Sequence, residues 1–274
     1  MRSLRDGRRH ERPVRPLSAV RIGHRAATRG LAIDLGSSRA RAWTPGQGIV
    51  ADLGVDPGLG RPVRRGRIVD TESCGRLLSR IADTALGADR SDSVIVVSHP
   101  VLAGAEHRST ARDLIAGLGP TRVVVLDSAR AAAASAGPRD GGPLLVVDLG
   151  AELTEVTLLV DGFVADARQA EAGLSDLDPA VPPTVLVRTV LDMVMAMWQQ
   201  DTNGAVRGAL RRGPLLTGGG ALRPDLTNRI ALRLGVPVRL ADDPATTVVR
   251  GAGLILSSVL RHAGSAPALP GRAR

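Results

Sequence analysis

The chain has 274 residues, enough for one large domain or two small ones with a sizeable core. With 43% apolar and 23% charged residues it reads as globular; a single cysteine excludes an internal disulfide and a cysteine zinc site, and three aromatic residues are too few for a base-stacking platform. The net charge of +9 sits in the ends, nine arginines against Asp6 and Glu11 over 1–29 and three arginines over 261–274, so the body is nearly neutral and a nucleic-acid-binding domain is disfavoured.

Lysine is absent, which excludes a Walker-type or Schiff-base lysine. Residues 1–29 lack apolar periodicity and are expected to be a basic disordered arm. Such an arm could touch an anionic membrane, or simply be a solvated tail. No apolar run follows Arg8-Arg9, so export is not indicated, and no stretch is apolar enough to span a bilayer. Leu31 to Gly36 is a short apolar run ending in Asp34-Leu35-Gly36. The Gly-, Pro- and Arg-rich stretch 44–67 reads as loop. Strands are expected at Val94–Val97 and Val123–Leu126, the second leading into an alanine-rich helix from Ser128 to Ala136. After a linker at 137–143, Leu144 to Gly150 repeats the pattern of the first run and ends in Asp148-Leu149-Gly150. Glu155–Val160 then alternates up to a hairpin signal at Asp161-Gly162. Residues 165–183, with three prolines, read as irregular. A helix is expected at 184–199, so apolar that it must bury most of its circumference. A strand at 214–217, the triplet Gly218-Gly219-Gly220, a helix near 223–234, a strand near 236–240 and a helix near 245–260 complete the chain, with a tail at 261–274. Two units of strand, Asp-x-Gly turn and outgoing strand, starting at 31 and 144, imply a duplicated α/β design with two lobes.

An apolar strand that ends in Asp-x-Gly sets a carboxylate at the strand's carboxyl edge. The glycine lets backbone N–H groups come close to a phosphate. Two such turns facing each other could hold a nucleoside triphosphate and a hydrated Mg²⁺, which commonly takes one or two carboxylates and phosphate oxygens. Asp34 and Asp148 are the candidate carboxylates. The glycine triplet offers a third close backbone approach, on the nucleoside side.

In order and wording these segments resemble the actin-like ATPases of the MreB type, over residues 30–260. Asp34-Leu-Gly-Ser-Ser38 looks like the first phosphate loop and Asp148-Leu-Gly-Ala-Glu-Leu-Thr-Glu155 like the second. Leu216-Thr-Gly-Gly-Gly-Ala-Leu222 looks like the adenosine motif, Leu126 to Gly137 like the connecting helix, and Asp243 to Gly253 like the closing segment. The resemblance implies two ribonuclease-H-like lobes, one from 30–140 with 245–260 and one from 141–244, with ATP and Mg²⁺ between them. It implies that Asp34 and Asp148 organise Mg²⁺ through water, that Gly36, Ser37, Ser38 and Gly150 face phosphate, and that Gly218, Gly219 and Gly220 lie against the nucleoside. It also implies a cytoplasmic role in cell shape and wall synthesis beneath the membrane, with wall-synthesis or divisome proteins as partners.

The departures bear on function more than on fold. Two glycines of the family's second loop are Ala151 and Glu152 here, and a threonine is Leu153. A positive φ at either glycine position would cost roughly 1–2 kcal/mol with a side chain present. A Glu152 carboxylate about 4 Å from phosphate would cost on the order of 4 kcal/mol at an effective dielectric near 20, unless it points away into solvent. The glutamate that positions the attacking water in the family is matched by Ser128, so hydrolysis is expected to be weak or absent. Both outer subdomains look reduced or absent, which argues against the usual head-to-tail filament. His99 is expected as a strand-end side chain on the cleft rim rather than a metal ligand. Two alternatives stay open: a compact actin-like chaperone or reactivating factor, and a sugar-kinase-type phosphotransferase, for which no catalytic carboxylate motif is visible.

Overall fold

A computed structural model describes residues 29–54, 60–178 and 183–264. The first sheet is built from β1 (Arg29–Leu35), β2 (Arg39–Thr44), β3 (Gly48–Gly54), β6 (Ser93–His99) and β7 (Arg122–Asp127), in the order β3-β2-β1-β6-β7. The second uses β8 (Leu144–Leu149), β9 (Thr154–Val160), β10 (Phe163–Ala170), β11 (Leu215–Thr217) and β12 (Arg239–Leu240), in the order β10-β9-β8-β11-β12. In each sheet a meander of three antiparallel strands is extended by two parallel ones. The two sheets therefore share one topology, as the internal repeat implied, and together they make the mixed α/β, two-lobed fold. A small hairpin, β4 (Val63–Arg64) and β5 (Arg67–Ile68), stands apart from both sheets.

Side chains alternate across each strand, so each sheet feeds two cores. Leu31, Ile33, Ile95 and Val97 face α1 (Thr71–Leu86) and α2 (Ala105–Ala116) in one core. Ala32, Val94 and Val96 face the other way, into a layer shared with Leu144, Val146 and Leu215 of the second sheet. That shared layer is filled by α3 (Ser128–Ala136) and α7 (Thr247–Gly264). Leu145, Val147 and Leu149 point to a third core beneath α4 (Thr184–Gln199), α5 (Ala205–Arg212) and α6 (Pro224–Leu234). The order of layers is thus α1/α2, sheet, α3/α7, sheet, α4/α5/α6. The helix expected at 184–199 packs one face on this core, with Leu186, Val190, Val194 and Met197 at most 1% exposed, but it does not bury most of its circumference: Val185, Met195 and Trp198 stay exposed on its outer face.

Several expectations are corrected. The stretch 44–67 is not all loop. It holds β3, an edge strand whose side chains are only half-buried, and the β4–β5 hairpin. Residues 165–170 belong to β10, and 171–178 include a 3₁₀ turn at Leu174–Asp176, so the irregular reading of 165–183 is too broad. Arg29 is not part of a disordered arm: it opens β1, and its guanidinium bonds Asp92 at 2.9 and 3.1 Å. The rest of that arm lies outside the described residues. Residues 261–264 continue α7, and the remainder of the expected tail lies outside the described residues. Helix α1, capped by Asp70, whose carboxylate accepts the Ser73 N–H at 2.9 Å, is absent from the sequence-based expectations, as is α5, whereas β2 is the outgoing strand expected after the first turn. The hairpin at Asp161-Gly162 is present, with both residues at positive φ (52° and 77°), the geometry that an Asp-Gly turn favours. No helix among the described residues is long and apolar enough to cross a membrane.

Candidate functional site

The two Asp-x-Gly turns are built alike. In the first, Gly36 N–H donates to the Arg39 carbonyl at 3.0 Å; in the second, Gly150 N–H donates to the Leu153 carbonyl at 2.9 Å. A Cβ would sit 3.1 Å from the acceptor oxygen at Gly36 and 2.7 Å at Gly150, so each turn is closed too tightly for a side chain to fit freely. The two turns line one cleft between the sheets. Asp34, Gly36, Ser37, Ser38, Ser128, Asp148, Gly150, Gly218 and Gly219 all contribute to its wall. Gly220 does not. It is buried, and a Cβ on it would meet Leu149 Cβ at 2.6 Å, so this glycine serves packing of its own 3₁₀ turn, Gly219–Leu222, against β8. Gly218 is needed for two reasons. Its φ is +82°, and a Cβ there would lie 2.3 Å from Asp148 Oδ1.

Strand register explains which further residues reach the cleft. Across the β1–β2 turn Asp34 faces Arg41; across the β8–β9 turn Asp148 faces Glu155. Arg41 and Glu155 therefore occupy equivalent places in the two lobes, and both line the cleft. Neither is among the site residues expected from the sequence. The signal is there for Arg41: the alternation Arg39-Ala40-Arg41-Ala42 directly after the first turn buries the alanines and turns Arg41 to the cleft side.

The electrostatics follow from burial of like charges. The Asp34 carboxyl is raised above its ordinary range by burial, tempered by the Ser98 hydroxyl, which donates to it at 2.7 Å, and by Arg41. Burial, followed by the charge of Asp34, pushes Asp148 up to about 7. Burial, followed by the charge of Asp148, pushes Glu155 up to about 8, against hydrogen bonds donated by Val101 N–H at 2.9 Å and Ser128 Oγ at 3.3 Å. A divalent cation would relieve this crowding of acids, so the donor chemistry fits a hard cation. Among the described residues no three His, Cys, Asp or Glu side chains converge closely enough to hold a metal by themselves, so phosphate oxygens would have to complete the set. His99, at the end of β6, lies on the cleft wall as expected. Its ring faces Asp127 at 3.5 Å, and burial keeps its pKa low.

The second loop resolves the question of Glu152. Neither Ala151 nor Glu152 has positive φ, so the backbone strain considered above does not arise. Nor is Glu152 solvated: its side chain is 5% exposed, and its carboxylate is bound by Arg61 from the other side of the cleft. The charge that would repel a phosphate is compensated by a guanidinium. Space is the tighter limit, since the cleft encloses about 180 Å³, below the ~300 Å³ at which small-molecule sites begin.

Similarity to known proteins agrees with this geometry. Residues 183–263 match the family described as MreB/Mbl protein. The cell shape-determining protein MreB of Haemophilus influenzae is 38% identical over 96 residues, 30% of this chain and 26% of that protein. Its counterpart in Escherichia coli strain K12 is 36% identical over 75 residues, 27% of this chain and 22% of that protein. The matched stretch thus spans about a quarter of these relatives' length. In three dimensions the likeness covers more of the chain. MreB5 of Spiroplasma citri bound to ADP superposes with a TM-score of 0.74 at 16% identity, over 87% of this chain and 99% of that one. The AMPPNP-bound form of the same protein gives 0.73 at 15% identity, over 85% and 97%. The chain is MreB-like: it has the two-lobed actin-like ATPase fold, and its carboxy-terminal part carries the MreB/Mbl pattern.

Proposed function

We propose that this chain is a cell-shape scaffold of the MreB type that takes ATP with Mg²⁺ into the interlobe cleft and hydrolyses it poorly. The observation that carries this reading is the pair of identically built Asp-x-Gly turns lining one cleft. Asp34 and Asp148 would hold the hydrated cation, and Mg²⁺ would supply charge neutralisation for the phosphates. Ser37, Ser38 and the N–H groups around Gly36 and Gly150 would face the phosphate chain, with Arg41 as the guanidinium at hand in a chain without lysine. Gly218, Gly219, Pro244 and Val248 would form the nucleoside wall. The MreB5 neighbours bound to ADP and AMPPNP support the same use of the fold.

Poor hydrolysis follows from the groups around the expected water site. Ser128 stands where the resemblance calls for glutamate, and its hydroxyl is engaged by Glu155. Leu153 adds no hydroxyl. Loss of a positioned base costs about 10²–10⁴-fold. Among the described residues the segment between β3 and α1 holds only a four-residue hairpin pair, and few residues separate β10 from α4, so surfaces for the usual head-to-tail filament are small. The role fits a cytoplasmic scaffold for wall-synthesis or divisome proteins, held near an anionic membrane by its basic arm.

Calorimetric titration and phosphate release test this. ATP with Mg²⁺ should bind, Asp148→Ala should abolish the heat, and turnover should fall at least about 10²-fold below an active MreB. Sedimentation should show no ATP-dependent pelleting. Turnover equal to that of an active family member and lost in Asp148→Ala would refute impaired hydrolysis, and an absence of heat in every form of the chain would refute nucleotide binding.

A further inference from the structure

The β4–β5 hairpin lies along one edge of the cleft, with Gly66 on the cleft wall and Arg64 and Arg67 exposed. Its tip residues, Arg65 and Gly66, both have positive φ (48° and 74°). A left-handed arginine is an unfavourable choice for such a turn, where Asn, Asp or Gly would be easy. The contacts made by this arginine explain why it is held there. Its backbone N–H donates to Glu152 Oε2 at 3.0 Å. Its guanidinium forks onto Asp176 at 2.7 and 3.1 Å and also reaches the Glu171 carbonyl. Arg61 binds the other oxygen of Glu152, and Arg67 pairs with Glu171 at 2.9 Å.

Every one of these pairs crosses from the first lobe to the second. The hairpin also touches both Asp-x-Gly loops. Gly66 N–H points at Ser37 Oγ, 3.4 Å away, and a Cβ on Gly66 would lie 2.7 Å from Leu153 and 2.9 Å from Pro100. On the far side, the segment bearing Glu171 and Asp176 is itself laid on the second loop. Leu174 and Ser175 N–H groups donate to the Gly150 and Ala151 carbonyls at 3.1 and 2.7 Å, and a Cβ on Gly173 would meet Ala151 at 2.5 Å.

We propose that the 61–67 hairpin is an autoinhibitory latch: Arg61, Arg65 and Arg67 clasp Glu152, Glu171 and Asp176 across the cleft, and a nucleoside triphosphate enters only as that clasp lets go. The assignment rests on the nucleotide reading above and adds its regulation. The inner contact and the rim contacts have different roles. Glu152 is buried and cannot be left unpaired cheaply, which makes release close to all-or-none. Arg65, Arg67, Glu171 and Asp176 are partly solvated, so salt weakens them. A triphosphate is a competing acceptor for the same guanidiniums, because arginine forks onto phosphate as readily as onto carboxylate. Entry of the ligand therefore exchanges carboxylate for phosphate on Arg61 and Arg65, and it requires that Glu152, which gives up its guanidinium, is reached by water as the hairpin lifts.

The test uses acid-side variants, which leave the arginines in place: Glu152→Gly, and the rim pair Glu171→Ala with Asp176→Ala. Amide hydrogen exchange of 34–38 and 148–153 is followed without nucleotide, and ATP–Mg²⁺ affinity by calorimetry. Exchange in both loops should rise at least about tenfold in each variant, with ATP affinity rising by a similar factor. Raised salt should loosen the wild-type loops in the same way. Unchanged exchange in the rim variant overturns the latch, whether or not Glu152→Gly folds. Wild-type ATP affinity equal to that of the open variants overturns the autoinhibition. Loops that open while no form binds millimolar ATP–Mg²⁺ support the latch as a closure and overturn the nucleotide reading, so the two failures are distinguishable.

Discussion

Replacing Gly251 by alanine should cost about 3 kcal/mol or more of stability, at a position inside a helix where alanine is ordinarily the better residue. Gly251 lies in α7, and a Cβ there would sit 1.7 Å from the carbonyl oxygen of Ala131 in α3. The obstacle is backbone, so no side-chain rotation can relieve it; the two helices must separate. Their contact fills the layer between the sheets, where Ala129, Ala131, Ala132, Val248 and Ala252 are all buried. Two residues along, Gly253 is pressed against the Trp43 ring, where a Cβ would lie 2.4 Å from the nearest ring carbons, so α7 cannot slide to make room. Helix propensity would return only about 1 kcal/mol. Against a typical total of ~5–15 kcal/mol, the net loss is a large fraction of what holds the lobes together. Gly75→Ala is the control with opposite sign. It lies in α1 with its nearest neighbour, Leu114 Cδ2, 3.7 Å away, and should gain on the order of 0.5–1 kcal/mol. Urea midpoints of the two variants decide the matter. A Gly251→Ala protein as stable as the parent would mean that α3 and α7 do not meet backbone to backbone.

The elements legible in the sequence are those whose own residues announce them. Leu31–Gly36 and Leu144–Gly150 are apolar on both faces because each sheet lies between two cores, and each ends in a turn that its glycine dictates. The helix at 184–199 is plain from its length and apolar content, although it lies in an outer layer and leaves Val185, Met195 and Trp198 exposed. What escapes is either weakly patterned or made by distant residues. Helix α2 buries only Ala111 and Ile115, so its polar face with Glu106, Arg108 and Arg112 is legible while its bounds are not. Strand β3 is an edge with half-buried side chains in a stretch rich in glycine and proline, which masks its alternation. Helix α1 is the exception: Cys74, Leu78, Ile81 and Ala82 mark a clear helical face after the Asp70 cap, a signal present in the sequence itself. In the site, Asp34, Asp148 and their glycines are local features of single turns. The neutralisation of Glu152 joins residues 91 apart, and Glu155 acquires its character from Asp148 across a strand pair and Ser128 on another element. Gly220 packs against Leu149 behind the cleft wall, and a glycine required by close packing and one required by a ligand look the same in a sequence.

The nucleotide-free chain should lose stability as pH rises from 6.5 to 8, a window in which ordinary paired surface carboxylates give no slope at all. Asp148 and Glu155 have folded pKa values of about 7 and about 8, above their unfolded values of 3.8 and 4.5. Between those limits the folded state binds more protons than the unfolded state, so unfolding releases protons and becomes easier as pH rises. Asp34 is shifted in the same direction. His99 and His107 are lowered from 6.5, so they oppose the fall: their unfolded-state imidazoles are half protonated at 6.5 and their stabilising contribution is complete only about one pH unit higher, which makes the fall shallower at the start of the window. Asp70, Asp140 and Asp225 are lowered and act only in acid. Cys74, buried and pushed up to about 12, acts only in alkali. Each unmatched proton is worth ~1.4 kcal/mol per pH unit, which gives a fall on the order of 2 kcal/mol across the window. Glu155→Gln should remove more of the slope than Asp148→Asn, because Glu155 stays protonated to higher pH. Mg²⁺ with ADP should stabilise the chain most at pH 8, where the carboxylates are bare, and should release protons on binding near neutrality. Thermal or urea unfolding at three pH values measures the slope, and a flat or rising profile would mean that the three carboxylates are not crowded together in a dry cleft.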